Sequence, residues 1–135
     1  MVNTFINMQK EFVPYELAVK LKELGFNEPC FAWYDGRYIA SINQNYCKNS
    51  EEWLNTIHCA APLYQQAFRW FRERYNAVCE IIRREDKNHS TFMGWVYIDN
   101  RKIDVVSYWD SKTYEEAELA CLTKLIEIVE QQNQK

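Results

Sequence analysis

Three stretches of this chain place apolar residues at helical spacing, and the segments between them alternate with a period of two. The broadest helical stripe lies in APLYQQAFRWFRERYN. There Tyr64, Phe68, Phe71 and Tyr75 recur at i, i+4, i+7 and i+11, flanked by Leu63, Ala67 and Trp70. Pro62 suits the first helical position, so this pattern predicts a helix over 62–75. An earlier helix is predicted from Val13–Pro14 to Gly25, with Tyr15, Leu17, Ala18, Leu21 and Leu24 inward. The last helix has a capping box, Thr113 followed by Glu116. Its stripe is Ala117, Cys121, Leu125 and Ile128, widened by Tyr114, Leu122 and Val129. Glu118 falls inside that stripe. A buried carboxylate needs a partner, so a structural ion pair with Arg83 or Arg84 is expected.

The period-two segments predict strands. FAWYDGRYIASI holds two runs of β-formers around Asp35-Gly36, a strong hairpin signal. Ala77 to Ile82 is expected as a central strand. It is followed by TFMGWVYI and, after the turn at Asp99-Asn100-Arg101, by KIDVVSYW, a three-stranded antiparallel meander. The expected fold class is α+β: a single antiparallel sheet of about five strands, hairpin plus meander, with three main helices mostly on one face. The expected organisation is one domain over 1–135, with 1–12 as an N-terminal arm, 43–61 as an irregular linker and 131–135 as a solvated tail.

Both faces of the meander are apolar. Phe92, Gly94, Val96 and Ile98 oppose Met93, Trp95 and Tyr97, while Ile103, Val105 and Trp109 oppose Val106 and Tyr108. Helices on one face leave an aromatic face over, which points to self-association as a homodimer unless residues 1–12 or 43–61 cover it.

Composition narrows the function classes. The chain of 135 residues carries a net charge of −3, is 47% hydrophobic and 16% aromatic, and has only three glycines and three prolines. It can bury a core without disulfides or metal. No apolar run spans a membrane, and the N-terminus lacks the order of a signal peptide, so a cytoplasmic location is expected. Five cysteines form no CxxC pair, which predicts free thiols, with Cys79 and Cys121 acting as small apolar residues. Two histidines, no Gly-rich phosphate loop, no GxSxG and no HExxH point away from an enzyme. No cofactor and no metal site is implied.

The one basic island lies at 69–84. Arg69, Arg72, Arg74, Arg83 and Arg84 stand among aromatic residues, so Arg69, Arg72, Arg83 and Arg84 with Trp70, Trp95, Tyr97 and Tyr108 are the candidate binding residues. Such arginines beside aromatic rings can grip a phosphate or stack on a base, which makes a nucleic-acid or nucleotide binder the alternative reading. The net acidity of the chain disfavours nucleic acid.

APLYQQAFRWFRERYN and TYEEAELACLTKLIEIV resemble segments of small proteins from tailed phages and prophages of gut bacteria, and FVPYELAVKLKELGFNEPCFAWYD is similar to another segment of them. That family carries no assigned activity. The resemblance implies a phage or prophage protein inside a bacterial cell, with a host protein as a possible partner. The leading expectation is a non-enzymatic protein-interaction module that self-associates through its aromatic sheet face.

Overall fold

The computed structural model describes residues 8–54 and 58–134, and of residues 41–45, 86, 89 and 108–110 it describes the backbone alone. The chain folds as α+β with two antiparallel three-stranded sheets. Contacts gather into two compact units, residues 1–67 and 68–135.

In the first unit, α1 (Tyr15–Glu23) follows Pro14 and buries Leu17, Ala18 and Leu21. It ends where the sequence places its stop. Gly25 takes φ 100°, its N–H reaches the Lys22 carbonyl at 3.0 Å, and the Phe26 N–H reaches that of Leu21 at 2.9 Å. These are the paired bonds of a Schellman cap, which needs a residue at ease with positive φ. The hairpin follows as β1 (Cys30–Asp35) and β2 (Tyr38–Cys47), with Asp35 paired to Tyr38 and Gly36 at φ 60° in the two-residue loop.

Residues 43–61, expected as an irregular linker, instead extend β2 to Cys47 and supply β3 (His58–Ala61). β3 pairs antiparallel with β1, from Ala32↔Ala61 to Asp35↔His58, giving the order β2-β1-β3. The Lys22 ammonium helps to hold the return: it donates to the Leu54 and His58 carbonyls at 3.0 and 2.7 Å. Small residues on the inner side (Cys30, Ala32, Cys59, Ala61) leave room for Val13, Leu21 and Phe26 in the core.

α2 (Tyr64–Tyr75) starts two residues after Pro62, whose carbonyl accepts from the Val13 N–H at 2.8 Å. Leu63 takes the capping position. Its carbonyl accepts from Ala67 at 3.1 Å, and Gln66 Oε1 reaches back to its N–H at 3.0 Å. Asn76, at φ 50°, closes the helix.

The second unit is the expected meander: β4 (Ala77–Asp86), β5 (His89–Ile98) and β6 (Arg101–Ser111), in the order β4-β5-β6. The turn after β5 uses φ 52° at Asp99 and 66° at Asn100, the two positive values of a type I′ hairpin turn. The expectation of one sheet fails here. The hairpin recruits β3 rather than the meander, so among the described residues β4 is an edge strand and β5 is central.

α3 (Tyr114–Asn133) packs on this sheet. Thr113 Oγ1 accepts from the Glu116 N–H at 3.2 Å, while Glu116 Oε2 reaches the Lys112 N–H at 3.0 Å. The helix buries Ala117, Glu118, Cys121, Leu122, Leu125, Ile126 and Val129, so Ile126 replaces Ile128 in the stripe and Tyr114 lies exposed. It runs on through much of the expected tail, with Gln131 to Gln134 exposed.

One cysteine expectation is overturned. Cys79 on β4 and Cys121 on α3 form a disulfide, with Cα atoms 6.1 Å apart. Alternation along β4 and helical period along α3 aim both thiols at the same layer, a proximity that spacing in sequence does not reveal. Cys30, Cys47 and Cys59 remain free and buried. Among the described residues, no helix is long and apolar enough to cross a membrane, and no His/Cys/Asp/Glu group could hold a metal.

Candidate interaction surface

Pairing in the meander defines its two faces. Cys79, Ile81 and Arg83 of β4 share a face with Phe92, Gly94 and Val96 of β5, and α3 covers it through Cys121 and Tyr114. The opposite face forms rows across the strands: Val78–Tyr97–Lys102, then Glu80–Trp95–Val105, then Ile82–Met93, then Arg84–Thr91. Met93 is buried, Val78 is 37% exposed, and Ile82, Trp95, Tyr97 and Val105 keep part of their surface.

Charge is built into this aromatic face. The Lys102 ammonium lies 3.2 Å from the Trp95 ring centroid, a cation–π contact made diagonally across the β5–β6 hairpin. The Trp95 Nε1–H is buried without a hydrogen-bond partner among the described residues. Buried indole N–H groups usually find an acceptor, which makes this donor an exception.

The candidate binding residues are not all gathered here. Arg84, Trp95 and Tyr97 share the face, and the side chain of Tyr108 lies outside the described residues. Arg83 is on the other side of the sheet, held by Ser90 Oγ at 3.0 Å and Glu85 at 2.9 Å. Arg69 and Arg72 are exposed on α2. Trp70 is only 5% exposed and packs on Phe71 and Tyr75 at 5.0 and 5.4 Å, so it offers no open ring for stacking. The island is contiguous in sequence and divided in space, because strand alternation sends neighbouring arginines to opposite faces.

Glu118 is buried as expected, at 8% exposure, while the Arg83 guanidinium meets Ser90 and Glu85. The Glu118 carboxylate does act on Tyr114 one turn earlier. Partial burial, then the charges of Glu118 and Glu115, push the Tyr114 hydroxyl above its ordinary pKa.

Two contributors escaped the sequence reading. Glu80 and Lys102 belong to the face only because of register; the diagonal hairpin position of Lys102 relative to Trp95 was the available signal. A second aromatic face lies on the first sheet. Phe31 and Tyr46 meet at a tilt, 5.3 Å apart, and Trp33 meets Trp53 and His58 edge-on, each at 5.2 Å. The alternation of Cys30, Ala32 and Tyr34 with Phe31 and Trp33 marks that strand's covered and outward sides. His58 Nδ1 lies 3.6 Å from Asp35 Oδ1, beyond hydrogen-bond reach.

A shallow groove of about 400 Å³ separates α3 from β6, lined by Val106, Leu119, Thr123 and Lys124 among others. Lys124 is engaged there by Asp104 at 3.1 Å, and the Thr123 hydroxyl donates to the Leu119 carbonyl at 2.8 Å. No protein family, no curated protein and no solved structure matches the chain.

Proposed function

We propose that this chain is a non-enzymatic protein-interaction module that self-associates through the β4–β5–β6 face bearing Trp95 and Tyr97. The carrying observation is the composition of that face. Ile82, Trp95, Tyr97 and Val105 keep surface beside the exposed Val78, and the Trp95 N–H has no acceptor among the described residues. Aromatic rings with a charged rim suit a protein partner, which supplies apolar surface to cover them. The resemblance of three segments to phage proteins supports a lineage in phages or prophages, action inside a bacterial cell, and a host protein as a further partner. The nucleotide reading is not favoured, since Trp70 is buried and Arg83 and Arg84 face opposite ways.

Native mass spectrometry of the untagged protein tests this. The expected result is a dimer that Tyr97→Asp converts to monomer, because a carboxylate on the face must be desolvated on association. A monomer in the unsubstituted protein, or a phosphate-containing adduct in place of the dimer, would refute the proposal.

A further inference from the structure

The two edges of the second sheet differ in a way that decides what can pair with them. β6 departs from its register with β5 twice, between Phe92 and Gly94 and between Val96 and Tyr97, and carries Ser107 at φ 57°. Bulged edges of this kind resist further pairing. β4 is regular. It matches β5 residue for residue from Ala77↔Ile98 to Asp86↔His89, and among the described residues no strand pairs with its other side. Val78, Glu80, Arg83 and Glu85 are exposed along it.

We infer that β4 pairs antiparallel with β4 of a second copy, with Ile82 opposite Ile82 and Glu80 opposite Arg84 on each side of the two-fold axis. This is an edge contact, distinct from one across the Trp95–Tyr97 face, and it rests only on the proposal above that the chain self-associates. An axis normal to the sheet keeps both α3 helices on one side, so even-numbered residues oppose even-numbered and odd oppose odd. Among registers of that kind, the one centred on Ile82 sets Glu80 against Arg84 twice and abuts no like charges. Moving the centre to Ile81 leaves Glu80 against Ile82 and Val78 against Arg84. Centring on Glu80 or on Arg83 puts that charge against its own copy, and the Arg83 centre also sets Glu80 against Asp86. Cross-strand opposite charges favour a register and like charges directly opposite oppose it. The product is a continuous six-stranded sheet that joins the Trp95 and Tyr97 faces of both copies.

Charge reversal with restoration tests the inference, read as the dimer dissociation constant. Glu80→Arg and Arg84→Glu each place like charges opposite one another twice, and each is expected to weaken the dimer by about tenfold or more. The double variant Glu80→Arg/Arg84→Glu restores the pairing and the dimer. In a separate measurement that does not depend on those folds, Ile82→Cys is expected to cross-link two copies under mild oxidation by a copper–phenanthroline catalyst with oxygen. The step joins two thiols and passes two electrons and two protons to the oxidant. A dimer insensitive to both reversals yet dissociated by Tyr97→Asp would overturn the edge pairing and leave the face reading standing. Failure of Ile82→Cys to cross-link a dimer also overturns it, and a monomer at every concentration overturns both.

Discussion

Gly94 sits against Cys121: a Cβ built on Gly94 would overlap the Cys121 sulfur and stand 2.9 Å from that of Cys79 and from Val106 Cγ2. The glycine's role here is space, in the middle of a strand where glycine otherwise weakens pairing. Its missing side chain is what lets α3 and β4 bring their sulfurs together over β5.

Gly94→Ala is therefore expected to destabilise the protein by about 2 kcal/mol, since the sulfurs it meets are tied to two elements and cannot swing aside. Urea unfolding measures the loss. An unchanged midpoint would show that α3 shifts freely on the sheet.

The Cys79–Cys121 bond spans 42 residues. Thiol titration of the unreduced, unfolded protein is expected to count the three cysteines 30, 47 and 59. Prior reduction raises that count by the two bridging thiols and lowers stability by roughly 3–4 kcal/mol, the loop-closure value for a loop of this size. A full count of thiols without reductant would refute the bond.

The free thiols carry a pH signature. Burial pushes Cys47 and Cys59 up to about 11, and burial together with the neighbouring Cys47, Glu28 and Cys59 raises Cys30 further. These groups stay protonated in the folded chain after they ionise in the unfolded one. The folded state then binds more protons, so stability falls with rising pH from the ordinary thiol value near 9 to about 11. Below that window they contribute no slope. Thermal unfolding across the alkaline range tests the sign, and native-state alkylation at neutral pH is expected to be slow at all three.

Much of the local structure was legible in the chain. The Gly25 cap, the hairpin beside Gly36, the Asp99-Asn100 turn and the Thr113–Glu116 box each depend on a few adjacent residues and one backbone geometry. The burial of Glu118 was legible too, since helical period alone places it between Leu125 and Val129 on the helix's apolar side. The candidate face was half legible. Alternation put Trp95 and Tyr97 on one side, but nothing local separated Arg83 from Arg84 by function or set Lys102 over Trp95.

What the sequence by itself determined was the type, order and inward side of most elements, because period and capping are local properties of the backbone. Tertiary structure alone decided which strands share a sheet, that β4 is an edge among the described residues, and that Cys79 meets Cys121. Those outcomes depend on pairings between segments far apart in the chain. The hairpin is completed by His58–Ala61 rather than by the meander, a pairing across more than twenty residues that no local pattern encodes, with Ala60 and Ala61 buried beside β1.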